Sequence, residues 1–435
     1  MYRPSQNVVY PRHCARDAAE VSDTTVLLCT HLTGFDDRQY RQAAHYNITH
    51  LRRQSFYSLP SAHIDLLSEP PFSIPETFRA VDDAIDSNAD IAEAILEIGL
   101  PSFGIDPDDD SWEGKATPND MDKARSTIRQ LYRDWSEEGK VERHPSYSPL
   151  ISALAEHLPS VPPSKRHKYR VLVPGAGLGR LVLEICAAGY NVEGNEISYH
   201  QLLASNYMLN YTRSAGQHAV YPWALNFSNH VSRSNQLQSV AVPDVHPATE
   251  LEKSSLEIAS DVHSRQRMSM TAGDFSSLYK LPEYEGAFDA VTTCFFIDTA
   301  PNLINYIERI RHCLKTGGIW VNLGPLLWHF ESAQIPADKE RQRAKNRSKQ
   351  DSSFNGDEVA SEAHEPTHSR SKTEGIGEPG AFELSDDEVV ALVQKFGFEI
   401  LDRKLMPAGG TGYIQDPESL LLNVYRPSFW VAKKI

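Results

Sequence analysis

Apolar side chains recur at two different spacings along the chain, and the spacing changes near residue 168. In the first part they lie three or four residues apart, as Tyr40, Ala44 and Ile48 do, which is the period of an amphipathic helix. Glycine and proline mark the ends of such segments. The first 165 residues are therefore predicted to be mostly helical, with helices at 36–57, 76–98, 118–138 and 147–158.

After residue 168, short apolar runs alternate with helical segments. The predicted strands are 169–173, 191–195, 267–272, 287–295, 318–323, 397–405 and 427–433. The predicted helices between them are 178–188, 198–212, 301–314 and 385–396. Such alternation indicates an α/β fold in which helices cover both faces of a parallel sheet.

Composition divides the chain further. Residues 1–30 show no period, and 336–380 are rich in Ser, Glu, Lys, Arg and Gly with almost no large apolar side chain, so both are predicted to be disordered. Residues 232–264 share this composition more weakly and are expected to stay outside the compact core. The predicted domains are a helical extension over 31–165 and a sheet domain over 166–435 that contains the 336–380 insertion.

Charge and cysteine usage limit the partners. The chain has 43 basic and 58 acidic residues and a net charge of −15, which disfavours binding along a phosphate backbone, so no nucleic-acid partner is predicted. No signal peptide and no apolar run near 18 residues is seen, so we expect no membrane partner and a cytoplasmic protein, with the nucleus left open. Neither a disulfide framework nor a metal site is predicted, because the cysteines are dispersed at 14, 29, 186, 294 and 313.

The clearest chemical signal is the segment 171–180, an apolar strand that runs into the alternating glycines Gly175, Gly177 and Gly179 and then a helical pattern. Such a turn lets a ligand approach the backbone. An acidic residue about 20 positions further on, here Glu196, can accept hydrogen bonds from the hydroxyls of a ribose. The spacing differs from the G-x-G-x-x-G of dinucleotide enzymes, which disfavours an NAD-dependent oxidoreductase. It is the form favoured by S-adenosylmethionine-dependent methyltransferases. The seven strands fit the Rossmann-like sheet of class I methyltransferases, whose last strand inserts antiparallel.

Longer runs carry a more specific resemblance. With 171–180 and Gly194-Asn-Glu196, the chain resembles the carnosine N-methyltransferase family from about 120 to 330 and again after the insertion. The runs are RDWSEEGK at 133–140 followed by Glu142-Arg143, TAGDF at 271–275, TCFFIDTA at 293–300 and GIWVNLGPLLWHF at 318–330.

The resemblance implies methyl transfer from S-adenosylmethionine to the pros (π) nitrogen of the histidine imidazole in carnosine, which gives anserine. The implied cofactor-binding residues are Gln130, Arg133, Gly175, Gly177, Glu196, Asp274, Phe275 and Cys294. The implied substrate-binding residues are Phe295, Asp298, His329, Tyr413 and Tyr425. The implied catalytic residue is Asp298.

Elementary chemistry agrees with these roles. A carboxylate such as Asp298 that accepts the distal N–H of a neutral imidazole would fix the tautomer and stabilise the imidazolium. Arg133 could pair with the methionine carboxylate, and Asp274 could accept the adenine amino group. Each has a structural alternative: Asp298 caps the helix at 301–314, Arg133 pairs with Glu137, and Asp274 caps a turn.

The substrate end departs from the family pattern. In the family, the C-terminal strand carries a cluster of tyrosines that cover the substrate. This chain keeps one of them, Tyr425, and has Asn423 two positions earlier. The expected partner is a small histidyl dipeptide, carnosine or a related one. A protein or peptide histidine methyltransferase and an inactive methyltransferase-like binding protein remain as alternatives. A homodimer is compatible with the sequence, which does not fix the oligomeric state.

Overall fold

The computed structural model describes residues 37–102, 118–328, 381–407 and 410–435. The segments predicted to be disordered, 1–30 and 336–380, lie outside the described residues, and so does His329. Within the described part, none of the helices combines the length and the apolar content needed to cross a membrane.

Helices dominate the first part, as predicted. Helix α1 continues through a π-helical turn, His45–His50, into α2. Helix α6 begins at Lys140, seven residues before the predicted start, and two prolines lie inside it. Buried Glu142, Arg143 and Ser146 hold its first turns in the interior. The bounds are α1 Asp37–Ala44, α2 Leu51–Tyr57, α3 Ser61–Ser68, α4 Ile74–Ser102, α5 Pro118–Trp135 and α6 Lys140–His157.

The rest of the chain alternates strands and helices. The first half gives β1 Arg170–Pro174, α7 Arg180–Ala187, β2 Asn191–Glu196, α8 Tyr199–Asn210, β3 His218–Val220, α9 Arg233–Gln236, β4 Val240–Val242 and α10 Pro247–Glu257. The second half gives β5 Met268–Ala272, α11 Phe275–Leu278, β6 Phe288–Cys294, α12 Leu303–Cys313, β7 Leu314–Gly324, α13 Asp386–Lys395, β8 Phe398–Leu405 and β9 Ser428–Lys434.

Seven of the strands form one sheet in the order β5-β2-β1-β6-β7-β9-β8. Strand β1 pairs in parallel with β2 and β6, whereas β9 inserts antiparallel between β7 and β8. The predicted class I methyltransferase sheet is therefore confirmed, including its antiparallel last strand. Because the parallel strands share a direction, their carboxyl ends meet at one edge, where ligands of open α/β sheets bind.

The prediction for 232–264 is wrong. This segment forms α9, β4 and α10, and β4 pairs antiparallel with β3 in a small second sheet. Three of its apolar side chains, Val240, Val242 and Leu251, are buried in the main core. Its polar composition is accommodated because Asp244 makes buried ion pairs with two arginines. Composition alone therefore underestimated how much of this segment is fixed in place.

Candidate active site

The turn between β1 and α7 contains glycines for reasons of conformation and of space. Gly175, Gly177 and Gly179 have φ values of +65°, +57° and +78°, in the left-handed region that favours glycine. A Cβ atom added to Gly175 would lie 2.5 Å from the Phe296 ring. The turn therefore requires glycine both for its backbone and for its space.

Glu196 meets this turn from the end of β2. Its Oε2 accepts the Gly177 N–H at 2.9 Å, and its Oε1 accepts the N–H groups of Ile197 and Ser198 at 2.8 Å each. Burial raises the pKa of Glu196, and the three backbone hydrogen bonds act in the opposite direction. A carboxylate has about four acceptor positions, so at least one stays available for a ligand hydroxyl.

Asp274 and Phe275 follow β5 at the same edge of the sheet. Asp274 is the N-cap of α11, and its Oδ1 accepts the Ser277 N–H at 2.7 Å. The Phe275 ring is buried and contacts Phe296 and Tyr306 at centroid distances of 5.6 and 5.4 Å. Asp274 therefore caps a helix, which is the structural alternative to a role in cofactor binding, and the Phe275 ring is part of the core.

Arg133 lies buried near the end of α5. Its Nη1 donates to Asp134 at 2.8 Å and to the Tyr147 hydroxyl at 3.1 Å. Glu137, the alternative partner, instead pairs with Lys140. Among the described residues, neither Arg133 Nε nor Arg133 Nη2 has a hydrogen-bond partner, although both atoms are buried. These two buried donors match a carboxylate.

Gln130 lies one helical turn before Arg133. Its Nε2 donates to the Tyr413 hydroxyl at 2.9 Å, while its buried Oε1 has no donor among the described residues. An acceptor and two donors on one face of α5 form the complement of an amino-acid group, whose ammonium donates and whose carboxylate accepts.

Aromatic rings from the residue after β6 and from the C-terminal segment lie close to the guanidinium of Arg133. It lies 4.8 Å from the ring centroid of Tyr413 and 5.8 Å from that of Phe295. The Phe295 ring contacts those of Tyr413 and Tyr425 at centroid distances of 5.2 and 6.0 Å. Phe295 has a φ of +53°, a strained value for a side-chain-bearing residue, which turns it out of the strand direction. Burial raises the pKa of Cys294 to about 11, so its thiol is uncharged.

Asp298 lies in a one-turn helix after β6 and is 2% exposed. Its Oδ2 accepts the Leu327 N–H at 2.9 Å, which connects it to the segment after β7. It does not cap the following helix: Asn302 does so, because its side chain accepts the Ile304 N–H at 3.0 Å.

A buried ionic network was missed at the sequence level. Asp244 accepts from Arg143 Nη2 at 2.8 Å and from Arg180 Nη1 and Nη2 at 2.5 and 3.1 Å. Arg180 directly follows the glycine turn and also donates to the Asp134 carbonyl at 3.3 Å. The network therefore joins α6, the turn and the misassigned 232–264 segment. The polar run at 133–143 contained Arg143, one of the two arginines of this network, but nothing in the sequence indicated that Asp244 is their partner.

Comparisons with known proteins agree with this architecture. The family model described as carnosine N-methyltransferase matches residues 110–435. The chain belongs to the carnosine N-methyltransferase family. It is 35% identical to carnosine N-methyltransferase of Schizosaccharomyces pombe over 395 residues, 91% of this chain and 92% of that protein. It is 39% identical to carnosine N-methyltransferase of Mus musculus over 300 residues, 68% and 69% of the two chains. The protein is therefore a methyltransferase with S-adenosylmethionine as its methyl donor.

Proposed function

We propose that the protein methylates the pros nitrogen of the histidine imidazole in carnosine, or in a related histidyl dipeptide, to give anserine or its analogue. The similarity to carnosine N-methyltransferases over most of the chain carries this proposal. The supporting geometry is a buried carboxylate, Asp298, at the sheet edge where the glycine turn and Glu196 also lie.

The cofactor half of the proposed site consists of residues that fit S-adenosylmethionine. Gln130 and Arg133 would bind its amino-acid group through the buried acceptor and donors described above. Glu196 would accept a hydrogen bond from a ribose hydroxyl, and Asp274 would accept one from the adenine amino group. S-adenosylmethionine would supply a methyl group bonded to a sulfonium sulfur, whose carbon a neutral imidazole nitrogen can attack in line, with S-adenosylhomocysteine as the leaving group.

The substrate half would orient that imidazole. Phe295, Tyr413 and Tyr425 offer aromatic walls, and Asp298 would accept the distal ring N–H, so that the lone pair lies on the pros nitrogen. As the methyl group transfers, the ring becomes an imidazolium, and the nearby carboxylate stabilises its positive charge. His329 keeps its proposed substrate role from the family resemblance alone.

The direct test is to incubate the purified protein with S-adenosylmethionine and β-alanyl-L-histidine and identify the product by mass spectrometry and NMR. We expect a mass gain of one methyl group, with the new methyl signal on the pros nitrogen. The dipeptide β-alanyl-L-phenylalanine, whose aromatic ring has no nitrogen, is the control and should stay unmodified. Absence of product, or methylation at the tele nitrogen, would refute the proposal.

Glu196→Gln should weaken binding of the cofactor product S-adenosylhomocysteine by about 10- to 100-fold, because an amide offers one acceptor atom where the carboxylate offers two. Since burial raises the pKa of Glu196, wild-type affinity should fall as the pH is lowered toward that pKa and the carboxylate takes up a proton. Isothermal titration calorimetry over a pH series measures both effects. Exposed Glu399→Gln is the matched control, and equal affinities for the two variants would contradict the assignment.

A further inference from the structure

Glu142, in the first turn of α6, binds a segment of chain more than 270 residues away. It is 4% exposed, its Oε2 accepts the Ile414 N–H at 2.7 Å, and its Oε1 accepts the Gln415 N–H at 2.7 Å. Its backbone carbonyl also accepts from Thr411 Oγ1 at 3.2 Å. Hydrogen bonds to a buried carboxylate are stronger than those between neutral groups. One side chain therefore holds two successive amides of a segment that forms no helix or strand.

The segment 411–415 lies tightly against that carboxylate. A Cβ atom added to Gly412 would lie 2.3 Å from Glu142 Oε1, so the approach leaves no room for a side chain. Arg129 Nη2 adds a bond from α5 to the Ile414 carbonyl at 2.8 Å. The other side of the segment borders a cavity of about 610 Å³. The segment is therefore held by α5 and α6 on one hand and, on the other, by two backbone hydrogen bonds of 2.9 Å between Thr411 and Tyr425.

Between the two ends of this attachment lies Tyr413. Its ring contacts Arg133 and Phe295, and its hydroxyl accepts from Gln130. Tyr413 thus touches residues of both the proposed cofactor half and the proposed substrate half. Its position depends on its neighbours at 414 and 415, whose amides Glu142 holds.

We infer that Glu142 is a positioning residue: its carboxylate fastens 411–415 to α6 and thereby places Tyr413 over the site. Both of its oxygens accept a backbone N–H, a demand that glutamine cannot meet. In Glu142→Gln one amide N–H would face the side-chain NH₂, so one hydrogen bond is lost and two donors are brought together. The structural part of this inference stands without the proposed function, and only its kinetic consequence rests on it.

Hydrogen–deuterium exchange of the full chain tests the structural part. In Glu142→Gln the amides at 414 and 415 should exchange about 10- to 100-fold faster than in the wild type, which corresponds to loss of a charge-assisted bond. Asp416 is held separately by Asn235 Nδ2 at 3.0 Å, so exchange after 416 should change less. Glu156→Gln, on the exposed side of the same helix, is the matched control. Unchanged exchange at 414 and 415 would overturn the inference.

If Glu142→Gln fails to fold, Gly412→Ala tests the same contact from the other side. Gly412 has no positive φ, so alanine is compatible with its backbone, and its methyl group would meet Glu142 Oε1 and, at 2.8 Å, Gln415 Cβ. The same acceleration at 414 and 415 is expected. Wild-type exchange in a folded Gly412→Ala protein would count against the inference.

The kinetic consequence is a split between two constants. A loosened segment must be reordered whenever substrate binds, so KM for carnosine should rise about 10-fold in Glu142→Gln while kcat stays within about threefold. A fall in kcat with unchanged KM would refute the positioning role. If the wild type does not methylate carnosine, the proposed function fails, and the exchange result alone decides the role of Glu142.

Discussion

Replacing Asp298 with asparagine is expected to lower kcat for carnosine by about 10²- to 10⁴-fold, the range seen when an orienting carboxylate beside a histidine is neutralised. The Leu327 N–H already binds one carboxylate oxygen. In Asp298→Asn the remaining amide oxygen would take over that bond, and the NH₂ group would then face the imidazole. A donor at this place favours the tautomer whose proton lies on the attacking nitrogen, which removes the nucleophilic lone pair.

Single-turnover kinetics with saturating S-adenosylmethionine measures this effect on the chemical step. Calorimetric titration of the cofactor shows whether the variant keeps its cofactor affinity, which should stay within about twofold if Asp298 acts on the imidazole and not on the cofactor. Exposed Asp83→Asn is the control for a lost carboxylate elsewhere. Near wild-type kcat in Asp298→Asn would remove the proposed orienting role.

The sequence predicted that the glycine turn and Glu196 meet at one edge of the sheet because the signals for both are local. Three glycines with positive φ follow one apolar strand, and Glu196 ends the neighbouring strand. Parallel pairing places Pro174 opposite Asn195, so the turn and the carboxylate must meet. Strands such as β1, with the sequence RVLVP, could be predicted for a similar reason, since they are short apolar runs followed by a turn.

The residues that hold the site together could not be predicted in this way. Glu142 and Asp244 are charged side chains, which a sequence pattern assigns to the surface. Each is buried because its partners arrive from distant parts of the chain, 272 residues away for Ile414 and 101 for Arg143. The misassignment of 232–264 has the same origin, because the ion pairs of Asp244 supply part of what the segment lacks in apolar surface.

The second large effect concerns Asp244, which binds two arginines in the interior. Asp244→Ala should lower the free energy of unfolding by about 3–5 kcal/mol, because the two buried arginines would lose the buried carboxylate that they share and keep only the partly exposed Glu184 as an ionic partner. The side chains of Asp244, Arg143 and Arg180 are at most 8% exposed, so solvent screens these interactions little. Equilibrium denaturation in urea measures the loss, with an unchanged slope expected if the transition stays two-state.

A surface pair gives the contrast that makes this test specific. Glu137→Ala removes an exposed partner of Lys140 and should change the free energy of unfolding by less than about 1 kcal/mol. Because Arg180 directly follows the glycine turn, Asp244→Ala should also weaken S-adenosylhomocysteine binding at temperatures where the variant is still folded. A variant as stable as the Glu137 control would mean that the two arginines find other acceptors, and that the 232–264 segment is held by its apolar contacts alone. Only a large loss of stability is consistent with Asp244 as the residue that fixes this segment against the glycine turn.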